Sequence, residues 1–120
     1  MNGALTPMKV LLFGLDTQLA QELHAALAEA GGCVPAVDRL GADVIFCAAD
    51  PACYRPALDI LRREQPGLPV IVVSRHPMAS EWIDAIEAGV TDYCAAPFEP
   101  AQLQWLLETS RHARRSAAAA

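Results

Sequence analysis

The sequence predicts one α/β domain built on a doubly wound parallel sheet of five strands. The chain has 120 residues, which is enough for one domain with its own core and too few for two. Hydrophobic residues make up 53% of the chain, as expected of strands that are buried on both faces. Short apolar runs alternate with longer segments that have helical spacing, and this alternation predicts right-handed strand–helix–strand units.

The first strand and helix follow a short leader. Residues 1–7 lack periodicity and are interpreted as that leader, and residues 8–13 (MKVLLF) predict the first, central strand. Thr17 is expected to cap the helix that follows, and Gly31-Gly32 to end it. The face that this helix is expected to bury consists of Leu19, Leu23, Ala26, Leu27 and Ala30.

The connection between the second and third strands is unusually short. The second strand, residues 33–37, contains Pro35 and therefore belongs at a sheet edge, where a missing amide donor is tolerated. Only residues 38–42 separate it from the third strand, 43–47, whereas a parallel crossover needs about a dozen. Either the helix between strands 2 and 3 is reduced or missing, or the edge strand itself is reduced or absent.

Two further helices and two strands complete the predicted sheet. A helix from Pro51 or Cys53 to Glu64 is expected to bury Ala57, Leu58 and Leu61. The strand 70–73 follows, and then a helix over 80–88 that ends at Gly89. That helix and the residues after it place apolar side chains on adjoining turns, namely Trp82, Ile83, Ile86 and Val90.

The last two elements are a short strand and a C-terminal helix. The strand lies around Tyr93 and Cys94, and the helix begins at Pro100. Its buried stripe is expected to be Leu103, Leu106 and Leu107. The expected strand order is 2-1-3-4-5, the flavodoxin-like order, in which function is expected at the carboxyl ends of the strands. These ends are residues 14–16, 48–50, 74–75 and 95–96.

The segment from Pro69 to Pro100, PVIVVSRHPMASEWIDAIEAGVTDYCAAPFEP, carries a family resemblance. It contains a strand that ends in Ser74, a helix that ends in EAGV, the pair Asp92-Tyr93, and then residues 95–98 (AAPF). This order resembles the second half of bacterial response-regulator receiver domains, which typically have Lys-Pro-Phe at the last of these points. The resemblance extends over about residues 8–111. It implies a receiver-like domain over 8–114, followed by a tail or the start of a linker at 115–120.

The resemblance also implies that the acidic metal site of the family has been lost. In receivers, two acidic residues after the first strand and an aspartate after the third bind Mg²⁺. The acidic pair falls on Gly14 and Leu15, which leaves Asp16 as the nearby carboxylate. One flanking aspartate supplies too little oxygen charge for a hard divalent cation. The sequence therefore predicts no metal and no cofactor.

The residues that accept and stabilise the phosphoryl group are also replaced. By position, the phosphoacceptor aspartate falls on Ala48 and the lysine falls on Ala96. Alanine offers neither a nucleophile nor a positive charge to a transferring phosphoryl group. Ser74 matches the Thr or Ser of the family, and Tyr93 matches its aromatic switch position.

These replacements predict a phosphorylation-independent pseudo-receiver without enzymatic activity, which acts as a regulatory protein-interaction or dimerisation module in bacterial signalling or transcription. Receivers bind partners through their fourth helix, fifth strand and fifth helix. The corresponding residues of this chain are Trp82, Glu87, Tyr93, Gln102, Trp105 and Glu108. Trp105 lies off the leucine stripe of its helix and is a candidate interface anchor, or else packs over the rim of its own core. The alanine-rich end fits a linker to a C-terminal output domain as well as it fits a natural terminus.

Two alternative functions stay open at this point. The small residues Gly14, Ala48, Ser74 and Ala96 are expected to line a hollow in which a small ligand could sit. Asp50 is the fallback phosphoacceptor of an active receiver, although it is also a good helix cap ahead of Pro51.

Composition excludes several other classes of function. The net charge of −5 argues against direct contact with nucleic acid, which requires clustered Lys and Arg. The four cysteines lack CxxC spacing, which argues against a zinc site, and no apolar run is long enough to span a membrane. Cys47 and Cys94 lie in apolar runs and fit buried thiols of a reducing cytoplasm.

Overall fold

A computed structural model describes residues 6–76 and 78–119 of the chain, with side chains to residue 113. Residues 1–5 of the predicted leader and Ala120 of the predicted tail lie outside this description. The strands are β1 (Met8–Phe13), β2 (Cys33–Pro35), β3 (Val44–Ala48), β4 (Val70–Ser74) and β5 (Asp92–Ala95). The helices are α1 (Thr17–Ala30), α2 (Pro51–Glu64), α3 (Ala79–Ala88) and α4 (Pro100–Ala119).

The five strands form one parallel sheet in the order β2-β1-β3-β4-β5, which confirms the predicted topology. The connection between β2 and β3 contains no α-helix, also as predicted. A single 3-10 turn, Arg39–Gly41, takes its place, and the Asp38 side chain caps it by accepting a hydrogen bond from the Gly41 amide. The edge strand is reduced as well, because β2 ends at Pro35 instead of residue 37.

One face of the sheet, called here the closed face, is covered by α1 and α4. The apolar stripes predicted for both helices are confirmed, since every residue of each stripe is buried. These residues are Leu19, Leu23, Ala26, Leu27 and Ala30 on α1, and Leu103, Leu106 and Leu107 on α4. They pack against the side chains of β1, β3 and β4 that point to this face, among them Val10, Phe46 and Ile71.

The other face, called here the open face, is covered by α2 and α3. On α2, Leu58 and Leu61 are buried as predicted, but Ala57 is only partly buried and Tyr54 is buried in its place. The tyrosine is 1% exposed and is the largest fully buried side chain of the described residues. On α3, only Ala85 is buried.

The cap of α1 differs from the prediction. Thr17 is already the first helical residue, and Asp16 is the cap, because its backbone is extended and its Oδ1 accepts a hydrogen bond from the Leu19 amide at 2.8 Å. An aspartate placed one residue earlier satisfies a free amide of the first turn, which a helical Thr17 cannot reach. Within the described ranges, no helix is long and apolar enough to cross a bilayer.

Candidate functional site

The predicted site positions meet at the carboxyl edge of the sheet. Phe13 pairs with Cys47, Ala48 with Val73, and Ser74 with Ala95, so the chain segments that follow these strands begin side by side. Gly14, Ala48, Ser74 and Ala96 therefore lie along one edge, as the sequence predicts. Ala96 also packs against the closed-face core, together with Leu15.

Gly14 is held in place by a cysteine of α2. Its backbone has a φ of 73°, a conformation that favours glycine, and a Cβ at this position would lie 2.5 Å from Cys53 Sγ. The Cys53 side chain thus occupies the space in which an acidic side chain at position 14 would have to start. The hollow predicted beside Gly14 is filled by this thiol at that end.

Asp16, the one carboxylate expected near the metal position, is engaged in two structural roles. It caps α1, and it also accepts hydrogen bonds from the Arg75 guanidinium at 3.1 and 3.3 Å. The Leu19 amide is the main cause that lowers the pKa of Asp16, and Arg75 adds to it. Arg75 also contacts Glu22 Oε1 at 3.5 Å. The positive charge of Arg75 therefore already neutralises the Asp16 carboxylate at this end of the sheet edge.

Ser74 and Asp50 serve the local backbone. The Ser74 hydroxyl oxygen accepts a hydrogen bond from the His76 amide at 3.1 Å, which tightens the turn after β4. Asp50 Oδ1 accepts from the Ala52 amide at 3.0 Å and caps α2, as its placement ahead of Pro51 predicts. No group of three or more His, Cys, Asp or Glu side chains that could hold a metal ion is present in the described part of the chain.

Two thiols lie together behind this edge. Cys47, the fourth residue of β3, is fully buried in the open-face core, and Cys53 packs against the same core. Loss of hydration raises the pKa of Cys47 to about 12, and the neighbouring Cys53 contributes to the rise. Sequence analysis treated Cys47 as a buried thiol and did not identify the pair.

α3 is attached to α2 mainly through polar contacts. The Tyr54 hydroxyl donates to Asp84 Oδ2 at 2.6 Å, and Arg55 contacts both oxygens of the same carboxylate at 3.1 Å. At the other end of the helix, Arg62 donates to the Ala88 carbonyl at 2.5 Å. These contacts fix one side of α3 and leave its apolar side without a partner in the described structure.

That apolar side faces solvent. Trp82 is 50% exposed and Ile83 is 56% exposed, and Met78 and Ile86 are exposed beside them. Tyr93 on β5 is partly buried, and its hydroxyl has no hydrogen-bond partner among the described residues. The same is true of Glu81 Oε1 in the first turn of α3.

The other residues of the predicted interaction surface are distributed over two regions. Glu87 on α3 and Gln102 on α4 are exposed, as is Trp105, which resolves the choice between an exposed and a packed tryptophan. Trp105 and Glu108 line a groove of about 680 Å³ between α4 and the Gly31-Gly32 end of α1. The predicted interaction surface is therefore divided between the surface around α3 and the groove beside Trp105.

No protein-family model and no curated protein sequence matches the chain. Among solved structures, it is similar to a protein described as a response regulator from Chloroflexus aurantiacus, with a TM-score of 0.72 and 24% identity. The similarity covers 88% of this chain and 98% of that one.

Two pilus-related proteins from Burkholderia are also similar to the chain. A protein described as pilus assembly-related, from B. pseudomallei, has a TM-score of 0.70 and 26% identity over 94% of this chain and 96% of its own. A protein described as the pilus assembly protein CpaE, from B. thailandensis, has a TM-score of 0.66 and 25% identity over 86% and 97%. With its five parallel strands in the order 2-1-3-4-5 and these structural neighbours, the chain has the fold of response-regulator receiver domains.

Proposed function

We propose that this domain is a phosphorylation-independent, cytoplasmic pseudo-receiver that acts by binding protein, with a second copy of itself as the partner to test first. The observation that carries the proposal is the apolar side of α3. Its large apolar side chains, Trp82, Ile83 and Ile86, are all exposed, as is Met78 at its N-cap, whereas only Ala85 of the helix is buried. Contiguous exposed apolar side chains mark binding surfaces more often than isolated ones do.

The site chemistry supports independence from phosphorylation. Ala48 and Ala96 replace the nucleophile and the lysine that the family resemblance calls for. Cys53 fills the space next to Gly14, and Arg75 already neutralises Asp16. Phosphoryl transfer depends on neutralising charge at the transferred group, and this edge has no free cation among its described residues to do so. Asp50, the fallback phosphoacceptor, is engaged in capping α2.

The surface around α3 and β5 has two further features that favour a partner. Tyr93 and Glu81 each bury a polar atom without a hydrogen-bond partner, which costs free energy that a rearrangement on binding could recover. A tryptophan with two isoleucines following it on the same exposed helix is the composition expected of an interface anchor. Both Burkholderia neighbours are described as pilus-assembly proteins, which supports a role in assembling a larger protein complex over a role in catalysis.

Sedimentation of the purified chain tests this function. We expect a dimer whose mass does not change when a small phosphodonor and Mg²⁺ are added. The double variant Trp82→Ala/Ile86→Ala should sediment as a monomer. Trp105→Ala, in the separate groove beside α1, should change the sedimenting mass less than the double variant does.

Three outcomes would contradict the proposal. The first is a wild-type chain that stays monomeric at every concentration. The second is a dimer that survives the double substitution on α3. The third is a gain in mass by one phosphoryl group after incubation with the phosphodonor, which would restore the hypothesis of an active receiver modified at Asp50.

A further inference from the structure

Part of the open face has no helix over it. Alternate side chains of β1 point to this face, since Leu11 packs with the open-face core, and Lys9 and Phe13 lie two residues to either side of it. Val34 of β2 lies opposite Lys9 in the ladder and points the same way. Lys9, Phe13 and Val34 are exposed, and Leu11 is only partly buried. These four residues are called here the uncovered strip.

The missing crossover helix accounts for the uncovered strip. β1 is an inner strand of the sheet, and inner strands of parallel sheets are normally covered on both faces. The connection from β2 to β3 would ordinarily supply a helix over this region, but this chain has the 3-10 turn Arg39–Gly41 instead. Leu40 of that turn is exposed as well. The strip is therefore a sheet surface without a helix.

α3 has the opposite property, because it is a helix whose apolar side lacks a sheet. That side extends from Met78 at the N-cap to Ile86, which is about 12 Å at the rise of an α-helix. The strip extends from Lys9 to Phe13, which is about 13 Å at the rise of a β-strand. The two surfaces therefore match in length as well as in apolar character.

Charge favours the same pairing. β1 and β2 carry one charged side chain, Lys9, and the charged side chains of α3 are all acidic. Among them, Glu87 is exposed and lies one turn after Ile83, at the end of the apolar side. Lys9 lies near the amino end of β1. A helix that brings Glu87 beside Lys9 therefore runs antiparallel to β1, which is also the direction of a crossover helix between parallel strands.

We propose that α3 of one copy docks on the uncovered strip of a second copy, in the place of the missing crossover helix. This inference rests on the proposed self-association through α3, and it adds the surface that receives the helix. In the complex, the apolar side of α3 covers Phe13 and Val34, and Glu87 pairs with Lys9 at the rim.

Sedimentation of two variants, alone and mixed, tests this pairing. Trp82→Ala/Ile86→Ala alters α3 and keeps the strip, whereas Phe13→Ala/Val34→Ala alters the strip and keeps α3. Each variant alone should be a monomer, and an equimolar mixture should form a one-to-one complex, because one intact α3 then meets one intact strip. The control Trp105→Ala, an exposed side chain of the closed face, should still self-associate.

The outcomes separate this inference from the function on which it rests. A strip variant that associates as the wild type does, beside a monomeric α3 variant, would overturn the docking on the strip and leave self-association through α3 standing. Two monomeric variants that do not complement each other when mixed would overturn it too. A monomeric wild type would overturn both the docking and the proposed function.

A charge exchange gives a second measurement, which also serves if the strip variant does not fold. Lys9 and Glu87 are both exposed, so reversing either charge should leave the fold intact. Lys9→Glu and Glu87→Lys should each raise the Kd of self-association by roughly tenfold, and the chain with both changes should recover most of the affinity. Losses that simply add in the doubly changed chain would contradict the pairing of these two residues.

Discussion

The two faces of the sheet are built in different ways. On the closed face, α1 and α4 each contribute a full apolar stripe, and the buried set extends over several turns of both helices. On the open face, α2 buries Tyr54, Leu58 and Leu61, and α3 buries Ala85 alone. The open face also lacks the crossover helix between β2 and β3, which the 3-10 turn Arg39–Gly41 replaces.

The distribution of exposed apolar side chains follows this difference. Among the described residues, nine large hydrophobic side chains are exposed, and Trp105 is the one that belongs to a closed-face helix. The other eight lie on the open face or in the connections beside it: Phe13, Val34, Val37, Leu40, Met78, Trp82, Ile83 and Ile86. The closed face therefore has the more extensive buried core, and the open face carries most of the exposed apolar side chains, including those on which the proposed binding rests.

The largest expected effect is a cavity on the closed face. Leu23→Ala removes a side chain that is 0% exposed and should lower the free energy of unfolding by about 2–5 kcal/mol. Its matched control on the open face, Ile83→Ala, should change that free energy by about 0.5 kcal/mol or less, as exposed substitutions do. Urea unfolding of the two variants measures both values. Equal losses of unfolding free energy in the two variants would contradict the difference in packing between the closed and the open face.

A smaller effect is expected at the junction of β1 and α2. Gly14→Ala should destabilise the fold by roughly 1–3 kcal/mol, from its positive φ and from the contact with Cys53 Sγ. Adding Cys53→Ala should recover the part of this loss of stability that the contact with the thiol causes. The Cys53 Cβ lies 4.0 Å from the new methyl group, which is an ordinary contact distance. A double-mutant cycle by urea unfolding measures this coupling. Strictly additive losses would show that the thiol does not constrain residue 14.

The smallest of the three effects concerns the attachment of α3. Tyr54→Phe keeps the buried ring and removes the hydrogen bond to Asp84, so it should destabilise the fold by less than either of the previous substitutions. Hydrogen exchange of the α3 amides should rise in this variant, and the exchange of α1 should not. A uniform rise in both helices would mean that the contact supports the whole fold and not α3 in particular.

The contribution of the Tyr54–Asp84 contact to the free energy of unfolding should fall at both acid and alkaline pH. The hydrogen bond from Tyr54 is the main cause that lowers the pKa of Asp84 below its ordinary 3.8, so the contribution is present above 3.8 and is lost as the pH falls through the lowered value. Burial, assisted by Asp84, raises the pKa of Tyr54 from 10.0 to about 12, so the contribution is also lost as the pH rises through that window. The difference in unfolding free energy between the wild type and Tyr54→Phe should therefore be constant between these limits and narrow outside them. A difference that does not change from acid to alkaline pH would contradict this assignment.

Sequence reasoning succeeded where the signal is local. The stripes of α1 and α4 repeat at helical spacing, and the five-residue connection at 38–42 was too short for a helix by length alone. Tyr54 was missed because its hydroxyl looks polar in the sequence, and its partner Asp84 lies 30 residues away. Periodicity likewise identified the apolar side of α3, but it does not tell whether such a side meets a sheet or solvent.

The candidate site could be predicted in its positions but not in its contacts. The replacements at Gly14, Ala48 and Ala96 are visible in the sequence as soon as the strand ends are assigned. The contact between Arg75 and Asp16 joins residues 59 positions apart, and the contact of Cys53 with Gly14 depends on where the first turn of α2 lies. Neither contact follows a sequence motif of fixed spacing, so neither can be predicted from the sequence alone. Both depend on how the strands are placed in the sheet.

α2 holds polar contacts at both of its ends, with a different neighbour in each direction. Near its C-terminus, Glu64 and the following Gln65 bind Arg39 of the 3-10 turn at 2.8 and 3.2 Å. Toward α3, Tyr54 and Arg55 hold Asp84, and Arg62 holds the last carbonyl of that helix. α2 is therefore bonded both to the turn that replaces the missing crossover helix and to the helix that carries the exposed Trp82. A substitution that removes one of these bonds is expected to loosen one neighbour of α2 and leave the other attached.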